Sequence, residues 1–251
     1  VGLVPAHPLD PMPPRFYVDL PLAAGVSLSL PPGASRHAQV LRLQPGDPVT
    51  LFDGSGGDWR AEIAEMGRKV VDVTIGDFEA RDPELALAVT LAVGMPANER
   101  MDDLVEKATE LGVARIQPLM CERSVLRLSG ERAEKKREHW QAVAVSACEQ
   151  SGRTRVPVIE PVRTLAAWLR DAVPADARRV VLSTSESPPL PAVATGAVVA
   201  LSGPEGGLSP AEEQAARGAG FAPASLGPRV LRADTAPLAA LAVWSLGGLT
   251  A

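Results

Sequence analysis

The stretch Leu201-Ser-Gly-Pro-Glu-Gly-Gly-Leu208 carries the strongest chemical signal in this sequence. Its glycines and proline follow an apolar run and precede Ser209-Pro-Ala-Glu212. That order predicts a strand, a tight loop and a helix opened by a capping box, with proline at the first helical position. Glycines in such a loop let a ligand approach the backbone, and the helix N-terminus points spare N–H groups outward. A plain strand-to-helix connection has the same composition, and spacing alone leaves both readings open. Neither G-x-G-x-x-G nor G-x-x-x-x-G-K-[ST] occurs, so standard dinucleotide and P-loop sites are unsupported. A second stretch, Leu226-Gly-Pro-Arg-Val-Leu-Arg-Ala-Asp-Thr235, follows a predicted strand ending at Ser225-Leu226 and presents Arg229 and Arg232 three residues apart. At the carboxyl end of a neighbouring strand it would lie beside the first stretch, where ligands of open α/β sheets bind. The alternative is a surface loop with solvated arginines.

A third set comprises Cys121-Glu-Arg-Ser124 and Ala147-Cys-Glu-Gln-Ser-Gly-Arg-Thr-Arg155. The guanidinium forks of Arg153 and Arg155 suit phosphate, although cations at a helix C-terminus need no ligand to explain them. Other groups offer less. Cys121 and Cys148 form no C-x-x-C, and His7, His37 and His139 are scattered, so neither a disulfide framework nor a metal site is expected. Cys148 falls on an apolar helical stripe and reads as a core thiol. His37 has no partner visible in sequence. Lys135-Lys-Arg137 reads as a solvated helix face, and Trp140 and Trp168 read as core or interface.

Charge narrows the partners. The 251 residues carry 25 Lys+Arg against 30 Asp+Glu, net −5, which excludes a generically basic nucleic-acid binder. Residues 121–179 hold 12 basic and 8 acidic side chains, net +4, so the remainder carries −9 and a local polyanion site stays open. No run of 18 apolar residues exists, and the proline-rich first 14 residues lack the pattern of a signal peptide. A cytoplasmic protein with no membrane contact is expected.

These residues must be held by two kinds of architecture. Strands are predicted at Arg15–Val18, Val26–Leu30, Val49–Phe52, Trp59–Ile63 and Lys69–Ile75, with a glycine-rich turn at Asp53–Asp58 and one helical piece at Ala34–Leu43. This density suggests a small barrel. After the linker Arg81-Asp-Pro83, apolar strands at Leu85–Val93, Arg115–Leu119, Val180–Ser183 and Ala197–Ser202 alternate with helices at Asn98–Leu111, Glu131–Gln150, Ser209–Gly218 and Thr235–Gly247. Strands buried on both faces and alternating with helices predict an α/β domain with a mostly parallel sheet. The expected domains are 15–80 and 85–251.

Together the two glycine-bearing stretches resemble the RsmE family of 16S ribosomal RNA uridine-N3 methyltransferases. Glu106-Lys-Ala-Thr-Glu-Leu-Gly112, Glu122-Arg-Ser124 and Ala147-Cys-Glu-Gln150 followed by Arg153 and Pro157 extend the resemblance. So do Arg15-Phe-Tyr17, His37-Ala-Gln-Val-Leu-Arg42 and Leu51-Phe-Asp-Gly54, so that nearly the whole chain after residue 14 is covered. The family's Glu-Thr-Ala stands here as Asp234-Thr-Ala236, which keeps the carboxylate and shortens it.

The resemblance implies an α/β methyltransferase domain of the SPOUT type. Its C-terminal helix, about Ala236 to Leu246, would thread a trefoil knot. The resemblance also implies a PUA-like N-terminal β-barrel that binds RNA, a homodimer, and S-adenosylmethionine as methyl donor. Thr184, Leu201, Gly203, Pro204, Gly206, Gly207, Leu226, Gly227, Pro228 and Leu231 are expected around the donor. Backbone groups should hold its adenine, since Leu201, Leu226 and Leu231 are apolar. N3 of uridine reacts only after losing its proton, so charge on the uracil must be stabilised, for which Arg232 or Arg229 is expected, with Glu205 as a base if it reaches the ring. The target base must be unpaired or extruded. Arg15, Arg36, Arg42, Arg123, Arg153 and Arg155 are expected on the RNA, and an assembled small ribosomal subunit is favoured over free RNA. Dimerisation is expected through the last helix, with Leu238, Leu241, Trp244 and Leu246. The alternatives are a knotted methyltransferase acting on tRNA, and a non-catalytic RNA-binding or ribosome-assembly protein of the same fold.

Overall fold

A computed structural model describes residues 13–97, 99–171, 173–174, 176–193 and 195–247. The proline-rich start, with His7, and the last residues of the expected second domain lie outside the described residues. The chain divides into two units, one ending at Pro83 and the other beginning at Glu84.

In the first unit, period-two patterning sets the sheet. Strands β1 (Arg15–Tyr17), β2 (Ser27–Ser29), β3 (Pro48–Phe52), β4 (Asp58–Met66) and β5 (Val71–Glu79) pair in the order β1-β3-β4-β5-β2. The β1–β3 pair is parallel and the others antiparallel. In β5, Val71, Val73 and Ile75 point inward while Asp72 and Thr74 alternate outward. Helix α1 (Pro32–Val40) lays Ala34 and Ala38 on the same core, which also holds Phe16, Leu51 and Ile63. The strand path is open rather than a closed ring, because the pairing ends at β1 on one side and β2 on the other.

Arg15, expected on the RNA, is instead part of this interior. Its Nη1 donates to Asp58 Oδ2 at 2.7 Å, and its guanidinium lies 4.8 Å from the centre of the Phe52 ring. Arg81 Nε reaches the same Asp58 oxygen at 3.0 Å. A cation paired and desolvated in this way is structural.

The second unit is a parallel sheet buried on both faces. Its strands are β6 (Leu87–Gly94), β7 (Arg115–Met120), β8 (Val158–Ile159), β9 (Arg163–Thr164), β10 (Arg178–Leu182), β11 (Gly196–Ser202) and β12 (Ala222–Ala224). They run in the order β12-β10-β11-β6-β7-β8, with β9 also paired to β7. Alternate residues of β11 enter different cores. Val198 and Ala200 meet α2 (Arg100–Glu110), α3 (Gly130–Ser151) and α6 (Thr235–Gly247), while Val199 and Leu201 meet α4 (Leu165–Asp171) and α5 (Pro210–Gly218). The two-residue strands β8 and β9 and the short α4 have no counterpart in the sequence reading, since pieces this short carry no readable period.

Two more expectations change here. Arg153 is buried, with Nη1 donating to the carbonyls of Thr109 at 3.0 Å and Val113 at 2.8 Å and Nε to Glu84 Oε2 at 3.0 Å. It ties α2, its following turn and the start of the unit together, and is not available to RNA. In α6, Leu241 and Trp244 are core residues of their own unit, with Trp244 Nε1 donating to Pro191 O at 2.9 Å. The exposed apolar side chains of that helix are Val243 and Leu246.

Candidate active site

The carboxyl ends of β10, β11 and β12 open into one cleft with two lobes. The first lobe, about 390 Å3, is lined by residues 182–187 after β10 and residues 225–231 after β12. The second, about 560 Å3, is lined by residues 202–208 after β11, by Arg100 and Arg123, and by residues 230–233. Leu182, Thr184, Val230, Leu231 and Ala236 border both lobes. Volumes of this size suit a small ligand. The two stretches singled out in the sequence thus face each other, because parallel strands bring their carboxyl ends to one edge of the sheet.

Gly203, Pro204, Gly206 and Gly207 line the second lobe, and Leu226, Gly227 and Pro228 line the first. Thr184 and Leu231 stand where the lobes meet. Leu201 does not reach the cleft: fully buried, it packs with Trp168, Ala216 and Phe221. The next residue, Ser202, points the other way and lines the second lobe. Strand alternation at the end of β11 could have identified it. Arg229 lines the first lobe and Arg232 the second, both exposed.

The loop after β11 is held by side chains from elsewhere. Ala97 N–H donates to Glu205 Oε1 at 2.9 Å, and Arg100 Nη1 lies 3.9 Å from the same oxygen. Glu205 therefore fastens the segment after β6 to this loop, and one of its oxygens is already accepting a hydrogen bond. Arg123, expected on the RNA, donates from Nη1 to Gly206 O at 2.9 Å and Leu208 O at 3.4 Å. The expected capping box is present: Glu212 N–H donates to Ser209 Oγ at 3.2 Å, and Ser209 N–H to Glu212 Oε2 at 2.9 Å. The other oxygen of Glu212 accepts from Glu122 N–H at 2.8 Å, a bridge that spacing could not reveal. Packing in the loop is close enough that a Cβ on Gly203 would sit 2.7 Å from Leu208 N, and one on Gly94, at the end of β6, 2.5 Å from Pro204 N.

Several polar atoms around the cleft await a partner. Ser187 Oγ in the first lobe and Ser202 Oγ in the second are buried without a hydrogen-bond partner, as is Asp234 Oδ1, one residue past Ala233 of the second lobe. Buried polar groups are normally satisfied, so hydroxyls orphaned at a cavity wall fit a polar ligand. Cys121, by contrast, is inert: burial, and next the charge of Glu212, push its thiol up to about 12. Among the described residues no group of His, Cys, Asp and Glu could hold a metal ion, and no helix is long and apolar enough to cross a membrane.

Of the remaining expected RNA contacts, Arg36 and Arg42 in the first unit and Arg155 in the second are exposed.

Comparison with known proteins agrees with this geometry. Residues 83–245 match a family described as an RNA methyltransferase domain, and residues 30–76 match an RNA methyltransferase PUA domain. Ribosomal RNA small subunit methyltransferase E of Synechocystis is 35% identical over 210 residues, 81% of this chain and 67% of that one. Its namesake from Mycobacterium bovis is 34% identical over 248 residues, 94% of this chain and 91% of that one. A crystal structure of ribosomal RNA small subunit methyltransferase E from Neisseria gonorrhoeae bound to S-adenosyl methionine superposes with a TM-score of 0.88. It shares 39% identity and covers 93% of this chain and 97% of that one. Matched along both units at these identities, the chain belongs to the RNA methyltransferase family of ribosomal RNA small subunit methyltransferase E.

Proposed function

We propose that this protein transfers a methyl group from S-adenosylmethionine to N3 of a uridine in 16S ribosomal RNA. The observation that carries the reading is the two-lobed cleft at the ends of β10, β11 and β12, one lobe lined by leucines and hydroxyl side chains in mixed order, the other bordered by Arg100, Arg123 and Arg232.

The first lobe fits an adenosine. Leu182, Leu226 and Leu231 offer apolar contact, the backbone of residues 225–231 offers hydrogen bonds to a base edge, and Ser187 and Thr184 stand by for hydroxyl groups. The donor, when bound, supplies an activated methyl carbon on a sulfonium. The chain's own task is to place N3 in line with that carbon and to stabilise the negative charge that uracil acquires when its N3 proton leaves. Arg232 is the cation suited to this, since it borders the second lobe and pairs with no carboxylate among the described residues. Arg229 borders the first lobe instead and suits the donor's carboxylate or an RNA phosphate. Glu205 is a positioning group in this reading rather than the base.

The same reading includes a trefoil knot and a homodimer. Residues 188–190 hydrogen-bond Ser225 on one side, through Ser225 N–H to Pro188 O at 2.8 Å and Leu190 N–H to Ser225 O at 3.0 Å. The next residue, Pro191, accepts from Trp244 of α6. A chain segment that touches both the strand end and the final helix supports the threaded reading. For the dimer, α6 is apolar all round, and Val243 and Leu246 remain 51% and 60% exposed, which a second copy would cover. Sedimentation at twice the 26.2 kDa chain mass is expected.

The deciding assay follows labelled methyl transfer to 16S RNA, to small ribosomal subunits and to tRNA, with mass spectrometry of the product nucleoside. N3-methyluridine in ribosomal RNA is expected. Methylation of tRNA alone would replace the substrate, and donor binding without transfer to any RNA would favour a non-catalytic role.

A further inference from the structure

Several hydroxyl groups around the cleft are engaged with the backbone. Ser183 Oγ accepts from Ser185 N–H at 3.2 Å, and Ser225 Oγ accepts from Gly227 N–H at 3.1 Å and donates to its carbonyl at 3.3 Å. Ser209 Oγ caps α5, and Ser124 Oγ accepts from Cys121 N–H at 2.9 Å. These side chains shape turns and helix ends. Ser202 differs: the residue is 2% exposed, and its Oγ has no hydrogen-bond partner among the described residues.

Its place in the strand gives that orphaned hydroxyl a meaning. Ser202 closes β11, in register with Val93 of β6. On the same side of the strand Val198 and Ala200 are core residues, so alternation would put a third apolar side chain here. Alanine would occupy nearly the same space without burying a hydroxyl that lacks a bond, a costly state in a protein interior. The polar side chain instead stands where the strand reaches the second lobe, which Leu231, Arg232 and Ala233 of the loop after β12 also line. A local rule broken at the edge of a cleft marks a functional position. The chemistry of the reaction supplies a use for it. When uracil loses its N3 proton, negative charge spreads over the carbonyl oxygens O2 and O4, one on each side of N3. Arg232 meets one of them from the loop after β12. A donor for the other comes from the end of β11, where Ser202 holds an unengaged hydroxyl.

We propose that Ser202 is a catalytic residue, its hydroxyl donating to the uracil carbonyl oxygen that Arg232 does not reach; this rests on the uridine-N3 reading above. N3 releases its proton to water, its freed electron pair bonds the methyl carbon of the donor, and the carbon–sulfur electron pair stays on sulfur, leaving a neutral thioether. Ser202 moves no proton in this step. It stabilises the uracil anion from a buried position, where a hydrogen bond is stronger than in water and needs no reorganisation as charge develops.

The test uses the full-length protein, saturating S-adenosylmethionine, and small ribosomal subunits reconstituted on 16S RNA transcribed with uridine or with 5-fluorouridine. Fluorine withdraws electrons and makes the N3 proton more acidic. Ser202→Ala should lower kcat on uridine about 10- to 100-fold, the range for a hydrogen bond to a charged group, with donor and RNA affinities unchanged. The rise of its rate with pH should move upward by about one to two units, since each tenfold loss of anion stability is one unit. On 5-fluorouridine the defect should shrink several-fold, because the anion forms with less help. The melting temperature should hold or rise, since a buried hydroxyl without a partner is removed. A loss of equal size on both RNAs, or an unmoved pH profile, would overturn the proposal and leave Ser202 a structural residue. A loss confined to the donor KM would overturn it by giving the hydroxyl to S-adenosylmethionine. Unchanged kcat in Ser202→Ala, with N3-methyluridine still the product, would overturn the role of Ser202 and leave the functional reading standing. A wild-type protein that forms no N3-methyluridine in any RNA would sink that reading and the proposal with it.

Discussion

The two walls of the cleft are built on opposite plans. The loop after β11 is tied down on every side: Arg123 holds its carbonyls, Glu205 holds Ala97, and Glu212 links the following helix to Glu122. The loop after β12 has little such support. Its first residue, Ser225, is paired with Pro188 and Leu190, but past it residues Gly227 to Val230 are exposed, Val230 by 82%, and the hydrogen bonds there are local, between Ser225 and Gly227 and between Ala236 and Arg232. One wall is braced by remote side chains and the other, past Ser225, is exposed, so the first is expected to be preorganised and the second to close over a ligand. The difference matches a division of labour. A fixed wall places reacting groups without reorganisation at the moment of reaction, and a free wall lets a large donor enter before it is covered.

The sharpest way to break this comparison is to remove the cation that the free wall brings to the fixed one. Arg232→Ala should lower kcat by about 10²–10³-fold, the usual loss when one charge-stabilising donor is removed. RNA affinity should fall much less, because one phosphate contact is a small part of the total. A loss confined to RNA affinity would make Arg232 a phosphate contact and leave the charge on uracil to another group.

The fixed wall is tested through Arg123. A hydrogen bond from a charged donor contributes about 1.5–3 kcal/mol, so Arg123→Ala should raise the donor KM about tenfold or more with kcat less affected. Arg123→Lys should recover part of that, because one ammonium can still reach Gly206 O. The split between KM and kcat distinguishes a positioning role from general destabilisation. Were RNA affinity to fall instead, the sequence reading of Arg123 as an RNA contact would be restored.

That reading shows what one dimension can and cannot disclose. The glycine-bearing stretches were legible because strand, loop and capped helix leave local marks, and because parallel strands must bring their carboxyl ends together. Arg15, Arg123 and Arg153 read like free cations because their partners are remote. Asp58 is 43 residues from Arg15, Gly206 is 83 from Arg123 and Glu84 is 69 from Arg153. Leu201 illustrates a nearer miss. Its segment does end at the cleft, but alternation turns Leu201 into the core and Ser202 into the cleft. Leu241 and Trp244 read as dimer-face residues because the last helix carries more apolar surface than one core face needs, and only packing reveals which side its own core takes.

Hydrogen exchange reads the two walls directly. Backbone amides of residues 227–231 should exchange several-fold faster than those of residues 206–209 in the free protein, since exposed loops open at low local cost. Adding S-adenosylmethionine should protect the first group and barely alter the second. Equal protection of both loops before the donor is added would remove the distinction between fixed and free walls.

The smallest effect is expected at Glu205, and it is informative because two readings of that residue differ so widely. A general base contributes about 10²–10⁴-fold, so Glu205→Gln would abolish most activity if the carboxylate accepted the N3 proton. The structure gives one oxygen of Glu205 to Ala97 N–H and brings Arg100 within 3.9 Å of it. Both interactions hold the carboxylate against the segment after β6, which is the geometry of a positioning group. Glutamine keeps an oxygen at the same reach, so the bond from Ala97 survives and only the attraction to half-exposed Arg100 is lost, about 0–1 kcal/mol for such a pair. Activity should therefore fall about threefold or less, with the pH dependence of the rate unchanged. Glu205→Ala, which also orphans Ala97 N–H, should cost more than Glu205→Gln and do so through the donor KM. A collapse of kcat in Glu205→Gln, with donor and RNA affinities intact, would return Glu205 to the role of base and place the chemistry on the fixed wall alone.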